Sequence, residues 1–161
     1  MEVQFETGAG SVAKRSTPII RDAQVLLRRG IDLIERNRFE EAAGVLGQVV
    51  EIEPASSMAF LALGIALERL LRIPEATEAL EKAAELDPAG FYPRYRLGEL
   101  YMRIGVPTTA REYLQAAMDL SHNAEERSMV RQLLALDDKR GAKRIWRPDF
   151  SRLFRRRKTP Q

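Results

Sequence analysis

The residues of this 161-residue chain form no catalytic constellation for acid–base, nucleophilic or metal chemistry. The chain has a single histidine, His122, and no cysteine, so it nearly lacks the side chains that most often act as base, thiol nucleophile or zinc ligand. Its glycines match neither the phosphate-loop spacing nor the dinucleotide-binding spacing. The acidic pairs Glu40–Glu41 and Glu125–Glu126 fall at predicted helix starts, where carboxylates favour the helix dipole. We therefore expect neither an enzyme nor a bound cofactor or metal.

A different chemistry is concentrated in residues 139–161, which form a basic and aromatic tail. They contain ten Lys or Arg residues and one acid, a net +9, whereas residues 1–138 carry −6 and the whole chain +3. Pro148 and Asp149 could start a short amphipathic helix. The side chains expected to make contacts in this tail are Trp146, Phe150, Leu153, Phe154, Arg155, Arg156 and Arg157. This mixture suits an anionic membrane surface, a nucleic-acid backbone or an acidic protein groove, and a solvated end that docks loosely on the domain is the alternative.

The overall composition indicates a globular protein. Hydrophobic residues make up 45% of the chain and charged residues 30%. The lack of cysteine argues against a secreted, disulfide-bonded design. Residues 1–16 contain no apolar core of a signal peptide, and the longest apolar run, 58–67, is too short to span a bilayer. We expect a cytoplasmic protein, with a peripheral membrane association left open by the basic tail.

The elements that would position these residues follow a 34-residue repeat between residues 23 and 124. Each copy has two apolar segments at helical spacing, separated by a short turn, which predicts three helical hairpins over about 23–56, 57–90 and 91–124. A glycine inside a helix costs about 1 kcal/mol relative to alanine, so its recurrence indicates a close approach between helices. One hairpin cannot bury its apolar face alone, so neighbouring copies must stack. The residues in common register are Gly30, Gly64 and Gly98, then Ala42, Ala76 and Ala110, then Leu46, Leu80 and Leu114.

These residues resemble the tetratricopeptide repeat family, whose pattern is Trp, Leu-Gly and Tyr in a first helix, then Ala and Phe in a second, then Pro. The second copy matches best, through Leu63-Gly64, Ala76 and Pro88. The resemblance implies an all-α, right-handed solenoid of three helix-turn-helix hairpins plus a C-terminal capping helix. We expect a flexible lead over 1–16, a repeat domain over 17–138 and the tail over 139–161. The capping helix is predicted over about 124–138, with Asn123 and Glu126 at its start, and Thr109 with Glu112 resembles a capping box in the third copy.

The resemblance also implies where a ligand would bind, because proteins of this family usually bind ligands on the concave face formed by the first helix of each hairpin. The partner would be a protein that offers an extended peptide or an amphipathic helix. The residues implied are Leu27, Ile31, Ile34, Met58, Leu61, Ile65, Arg69, Tyr92, Tyr95, Glu99, Met102 and Arg103.

This surface and the tail allow four other interpretations. One subclass of the family clamps chaperone C-terminal carboxylates with Lys and Asn, but only Arg96 fits here, so chaperone-tail binding is disfavoured. The tail could make the protein an adaptor for an anionic membrane surface or a nucleic acid. Alternatively, Trp146, Phe150 and Phe154 could occupy the groove of the same chain, as autoinhibition, or the groove of another copy, which would make the protein a homo-oligomer. Groove residues could also pack against residues 1–22.

Overall fold

The computed structural model describes the backbone of residues 18–141 and the side chains of residues 22–136. Within this range the chain forms seven α-helices and no strand. The lead over 1–16 and the seven tail residues expected to make contacts lie outside the described residues. The helices are α1 (Pro18–Glu35), α2 (Phe39–Ile52), α3 (Ser57–Arg69), α4 (Ile73–Leu86), α5 (Phe91–Arg103), α6 (Pro107–Asp119) and α7 (Ala124–Gly141).

The helices pack as a stack of hairpins. The most extensive contacts join α1 to α2, α3 to α4 and α5 to α6, and these are the three predicted hairpins. Successive hairpins meet through α2 and α3, α4 and α5, and α6 and α7. In addition, α1 contacts α3, α3 contacts α5, and α5 contacts α7, so the first helices of the hairpins are neighbours along one face. The predicted all-α solenoid is confirmed, and each interface buries the apolar stripe that a single hairpin leaves exposed.

Each hairpin turns through a residue in the left-handed conformation, at the same position of the repeat. The residues with positive φ are Asn37 (59°), Leu71 (61°) and Gly105 (80°), and their spacing equals the repeat. In the second copy Leu71 N donates to Glu68 O at 3.0 Å, and Arg72 N donates to Leu67 O at 3.0 Å. This pair of hydrogen bonds is the Schellman motif, which satisfies carbonyl groups that a helix end would otherwise leave unpaired. The other two turns repeat the pattern, so the turn geometry belongs to the repeat.

The left-handed conformation of Leu71 costs about 1–2 kcal/mol, because its Cβ lies too close to the following carbonyl oxygen. Its side chain is 76% exposed and gives up little packing when removed. We expect Leu71→Gly, which copies the third turn, to raise the free energy of unfolding by about 0.5–1 kcal/mol. Urea denaturation measures this change. Gly105→Ala is the matched control and should lower the free energy of unfolding. Urea midpoints that stay at the parent value for both variants would contradict the claim that Leu71 is strained.

The recurring glycines mark the close approach that their spacing predicts. A Cβ built on Gly64 would lie 2.7 Å from Leu80 Cγ and 3.3 Å from the carbonyl oxygen of Ala76. Gly30 and Gly98 meet Leu46 and Leu114 at 2.5–2.6 Å in the same way. The leucine of the second helix therefore occupies the space above the glycine, and in the second and third copies the alanine contributes its backbone carbonyl.

Two helix boundaries differ in detail from the sequence-based expectation. Helix α6 starts at Pro107 with Val106 as its N-cap and no side-chain capping bond, so the predicted Thr109–Glu112 capping box is wrong. The left-handed turn at Gly105 already positions the chain for the helix, which places Thr109 inside the first turn. At α7, Glu126 N donates to Asn123 Oδ1 at 2.8 Å, which confirms the predicted start. That helix continues to Gly141, three residues beyond the expected end.

Candidate functional site

One side of the first helices carries a mostly apolar surface. We call it the groove and define it by these side chains: Leu27, Ile31, Ile34, Met58, Leu61, Ile65, Arg69, Tyr92, Tyr95, Glu99 and Arg103. Met58 at the start of α3 and Tyr92 at the start of α5 are 55% and 52% exposed. Met102 was expected here, but it is only 7% exposed and belongs to the core, because it points between neighbouring helices. The other apolar groove residues are partly buried and rest on the core, namely Leu27, Ile31, Ile34, Leu61, Ile65 and Tyr95.

An aromatic cluster forms the start of α5. Phe91 is buried, and its ring stacks on Tyr95 with 5.5 Å between centroids and 16° between planes. The same Phe91 ring meets Tyr92 edge-on at 5.2 Å and 82°. Both geometries are favourable for aromatic rings and restrict the motion of the two tyrosines. Burial, together with the nearby charge of Glu99, raises the pKa of Tyr95, so its hydroxyl stays a neutral hydrogen-bonding group.

A charge cluster of four residues lies between α3 and α5, namely Glu68, Arg96, Glu99 and Arg103. The Glu68 side chain is fully buried, and its Oε1 lies 2.7 Å from Arg103 Nη1 while its Oε2 lies 3.8 Å from Arg96 Nη2. Glu99 completes the cluster with contacts of 2.5 Å to Arg96 Nη1 and 3.6 Å to Arg103 Nη2. Arg103 remains 46% exposed, so the cluster reaches the surface of the groove through that guanidinium.

Sequence reasoning placed Glu99 and Arg103 in the groove but did not recognise the cluster. A signal was available, because Ile34 and Met102 occupy the positions that correspond to Glu68 in the neighbouring repeats. A carboxylate at a repeat position that is otherwise apolar requires a partner, and the partners come from the next repeat.

Arg69, the remaining charged groove residue, places its guanidinium 4.8 Å from the Phe39 ring centre at the start of α2.

The Glu68 carboxylate has unusual surroundings for a charged group. Among the described residues, none donates a hydrogen bond to either of its oxygens, so its contacts with arginine are purely ionic. Burial raises the pKa of Glu68, and the charge of Glu99 acts in the same direction. The charges of Arg96, Arg103 and Arg69 oppose this shift without cancelling it.

This raised pKa predicts a dependence of stability on pH. The folded state binds the proton of Glu68 more tightly than the unfolded state does. The resulting contribution to the free energy of unfolding is fully present below the usual pKa of 4.5 and is lost as pH rises through the higher pKa of the folded state. Glu68→Gln cannot ionise and escapes this loss. We expect the unfolding free energy of the variant, relative to the parent, to increase between about pH 4 and pH 7 in urea titrations.

The control for this experiment is Glu75→Gln on α4. A hydrogen bond from Arg72 lowers the pKa of the exposed Glu75 carboxyl, so its stabilising effect is present above pH 4.5 and is lost on acidification. The unfolding free energy of Glu75→Gln, relative to the parent, should therefore decrease as pH rises. This change is opposite in sign to the one expected for Glu68→Gln. A Glu68→Gln difference that stays flat across the range would disprove the assigned cause.

The geometry and the repeat agree with an independent comparison of the sequence. The family model of the tetratricopeptide repeat matches residues 27–91 and again residues 61–125, which together cover more than half of the chain. The chain belongs to the tetratricopeptide repeat family. A comparison with curated protein sequences gives no match.

Several solved structures share the tetratricopeptide repeat fold with this chain. MamA from Desulfovibrio magneticus RS-1 is 30% identical over 60% of this chain and 55% of its own, with a TM-score of 0.59. The first repeat domain of Spaghetti (RPAP3), bound to an HSP90 peptide, is 17% identical over 73% and 94%, with a TM-score of 0.64. The Yersinia enterocolitica secretion chaperone SycD, in complex with a YopD peptide, is 17% identical over 71% and 93%, with a TM-score of 0.62. The chain thus spans about half the length of the MamA structure.

The part of the chain that the structure describes adds two further observations. Over that part, no group of three or more His, Asp or Glu side chains is placed to hold a metal ion. None of the helices in the same range is long and apolar enough to cross a membrane. The membrane and nucleic-acid hypotheses depend on tail residues outside this range and stay predictions.

Proposed function

We propose that this tetratricopeptide repeat protein is a non-catalytic scaffold that binds a peptide or an amphipathic helix of a partner protein in the groove. The observation that carries the proposal is the continuous apolar surface that α1, α3 and α5 build side by side. Met58 and Tyr92 are more than half exposed at the starts of α3 and α5 on this surface. A connected apolar surface of this kind on a single chain is characteristic of interaction sites.

The chemistry of the groove indicates what its ligand presents. Leu61 and Ile65 are one helical turn apart, so together they offer an apolar strip to side chains that recur at i and i+3 or i+4 in a helical ligand. Tyr92 and Tyr95 supply large aromatic surfaces that are already ordered by Phe91, and ordered aromatic side chains are common among residues that dominate binding energy.

The charge cluster would set the direction of the ligand along this strip. Arg103 stands at the end of α5, where Glu68 holds it from the core side and leaves its outer part exposed. Arg96 is engaged by Glu99 at 2.5 Å, which argues against its use as a chaperone-type carboxylate clamp. We therefore expect a ligand with apolar anchors and a polar group near Arg103. The structures of Spaghetti and SycD with peptides support binding of a peptide on this fold.

Site-specific photocrosslinking tests the proposal in the full chain. A photoreactive phenylalanine analogue replaces Tyr92, which keeps an aromatic ring in the groove, and the same analogue replaces Leu71 in the α3–α4 turn as a matched exposed site. We expect a covalent adduct with one partner protein from position 92 and none from position 71. The same adduct from both positions, or from position 71 alone, would contradict binding in the groove.

A further inference from the structure

Acidic residues are distributed unevenly between the two faces of the stack. The second helices of the hairpins, α2, α4 and α6, contain nine acidic residues and two basic residues. The first helices, α1, α3 and α5, contain five acidic and seven basic residues. The first helices taken whole are therefore slightly positive, and the second helices are strongly negative. We call the outward surface of α2, α4 and α6 the acidic face.

The acidic face contains a cavity of about 550 Å³ between α4, α5 and α6. Ala84, Pro88 and Leu97 give it an apolar lining, Glu81 and Glu85 line its α4 side, and Tyr113 lines its α6 side. The Tyr113 ring stacks on Tyr101 with 5.5 Å between centroids and 5° between planes, so this wall is well supported. The volume falls in the range of cavities that hold an aromatic or larger organic group.

Arg94 also lines this cavity, but its guanidinium is held by backbone carbonyl groups. Its Nη1 donates to Gly90 O at 3.2 Å and to Asp87 O at 3.3 Å. A cation fixed in this way to the α4–α5 loop leaves Glu81 and Glu85 as the carboxylates that line the cavity. Glu85 Oε2 also contacts Lys82 Nζ at 3.0 Å, in an exposed ion pair that an incoming basic group would have to compete with. The cavity thus offers an apolar lining with acidic groups beside it, which complements a segment that mixes aromatic and basic residues.

The chain contains such a segment directly after α7. Residues 142–161 have eight basic residues and one acid, a net +7, whereas residues 18–141 have 16 basic and 20 acidic residues, a net −4. The segment also contains Trp146, Phe150 and Phe154. It follows Gly141, and α7 packs against α6, the helix that supplies the Tyr113 wall. Twenty extended residues span up to about 66 Å, and a 14-residue helix such as α4 is about 21 Å long, so the segment can cross the face.

We propose that residues 142–161 dock on the acidic face of their own chain, with an aromatic side chain in the cavity between α4, α5 and α6. Charge complementarity favours this face over the groove, because the groove helices carry a small positive charge that would repel the segment. The groove then stays open for a partner. This docking site is distinct from the groove and does not depend on what the groove binds.

Trp146 is the only tryptophan of the chain, so its fluorescence reports on the segment in the full-length protein. At low ionic strength we expect blue-shifted emission and protection from acrylamide quenching, compared with N-acetyltryptophanamide. Both should be lost in about 1 M salt, where the Debye length falls to about 3 Å and charge attraction across the face is screened. Protection should not change on dilution, because docking occurs within one chain. Emission and quenching that match the free model compound already at low salt would overturn the proposal.

Isosteric variants locate the docking surface. Glu81→Gln with Glu85→Gln should release Trp146 at low salt, whereas Asp22→Asn with Glu35→Gln removes the same charge from α1 and should not. Tyr92→Ala tests the groove. Release by Tyr92→Ala but not by the α4 variant would place the segment in the groove, and protection that disappears on dilution would place it on a second copy. Either result would refute the proposal, and circular dichroism confirms that each variant keeps its helices.

Discussion

Replacing Gly64 with alanine should lower the free energy of unfolding by up to about 2 kcal/mol, although the same replacement stabilises most helices. The added Cβ would lie 2.7 Å from Leu80 Cγ, and Leu80 is fully buried, so the clash must displace a packed core side chain. Overpacking of this kind costs about 1–3 kcal/mol, and only about 1 kcal/mol is recovered from the better helix propensity of alanine. Urea denaturation at equilibrium measures the net change.

Helix α2 supplies the matched control for this prediction. A Cβ on Gly47 would meet no atom within 4 Å, so Gly47→Ala gains the helix propensity without the clash and should stabilise the protein by up to about 1 kcal/mol. A double variant, Gly64→Ala with Leu80→Ala, should lose less than the sum of the single variants, because the smaller side chain removes the clash. Stabilisation by Gly64→Ala alone would show that the glycine register has no packing role.

The fold could be predicted from the sequence because its determinants recur. Three copies of the same glycine, alanine and leucine identify both helices of each hairpin and the faces that meet. The left-handed turn residues were harder to recognise, since Asn37, Leu71 and Gly105 share a conformation but not a residue type. The error at Thr109 has the same origin. A local capping pattern suggested that α6 begins near Thr109. The turn that recurs in every repeat instead starts the helix at Pro107.

The groove could be predicted only as far as the repeat itself reaches. The positions implied by the family resemblance lie on the first helices, and their role in binding stays a prediction. Met102 shows that a position within the repeat does not determine exposure, which depends on the neighbouring repeat. The charge cluster was missed for a related reason. Glu68 and Arg103 are 35 positions apart and belong to different repeats, so their contact follows from the stacking of α3 on α5 rather than from any local pattern.

Introducing a charge at Met58 should weaken partner binding by about tenfold or more, which corresponds to about 1.4 kcal/mol or more. Met58 is 55% exposed on the apolar strip, so arginine there adds little strain to the fold but requires the ligand to bury a charge against its apolar side chains. Leu71→Arg is the matched control, because it places the same side chain at an exposed apolar position outside the groove. It should leave the affinity unchanged.

The most direct test of the account is a calorimetric titration of the partner identified by crosslinking at position 92 against the full chain, Met58→Arg and Leu71→Arg. We expect a dissociation constant that rises about tenfold or more for Met58→Arg and stays at the parent value for Leu71→Arg. Equal affinities for all three proteins would contradict the claim that the groove of this tetratricopeptide repeat protein is its binding site.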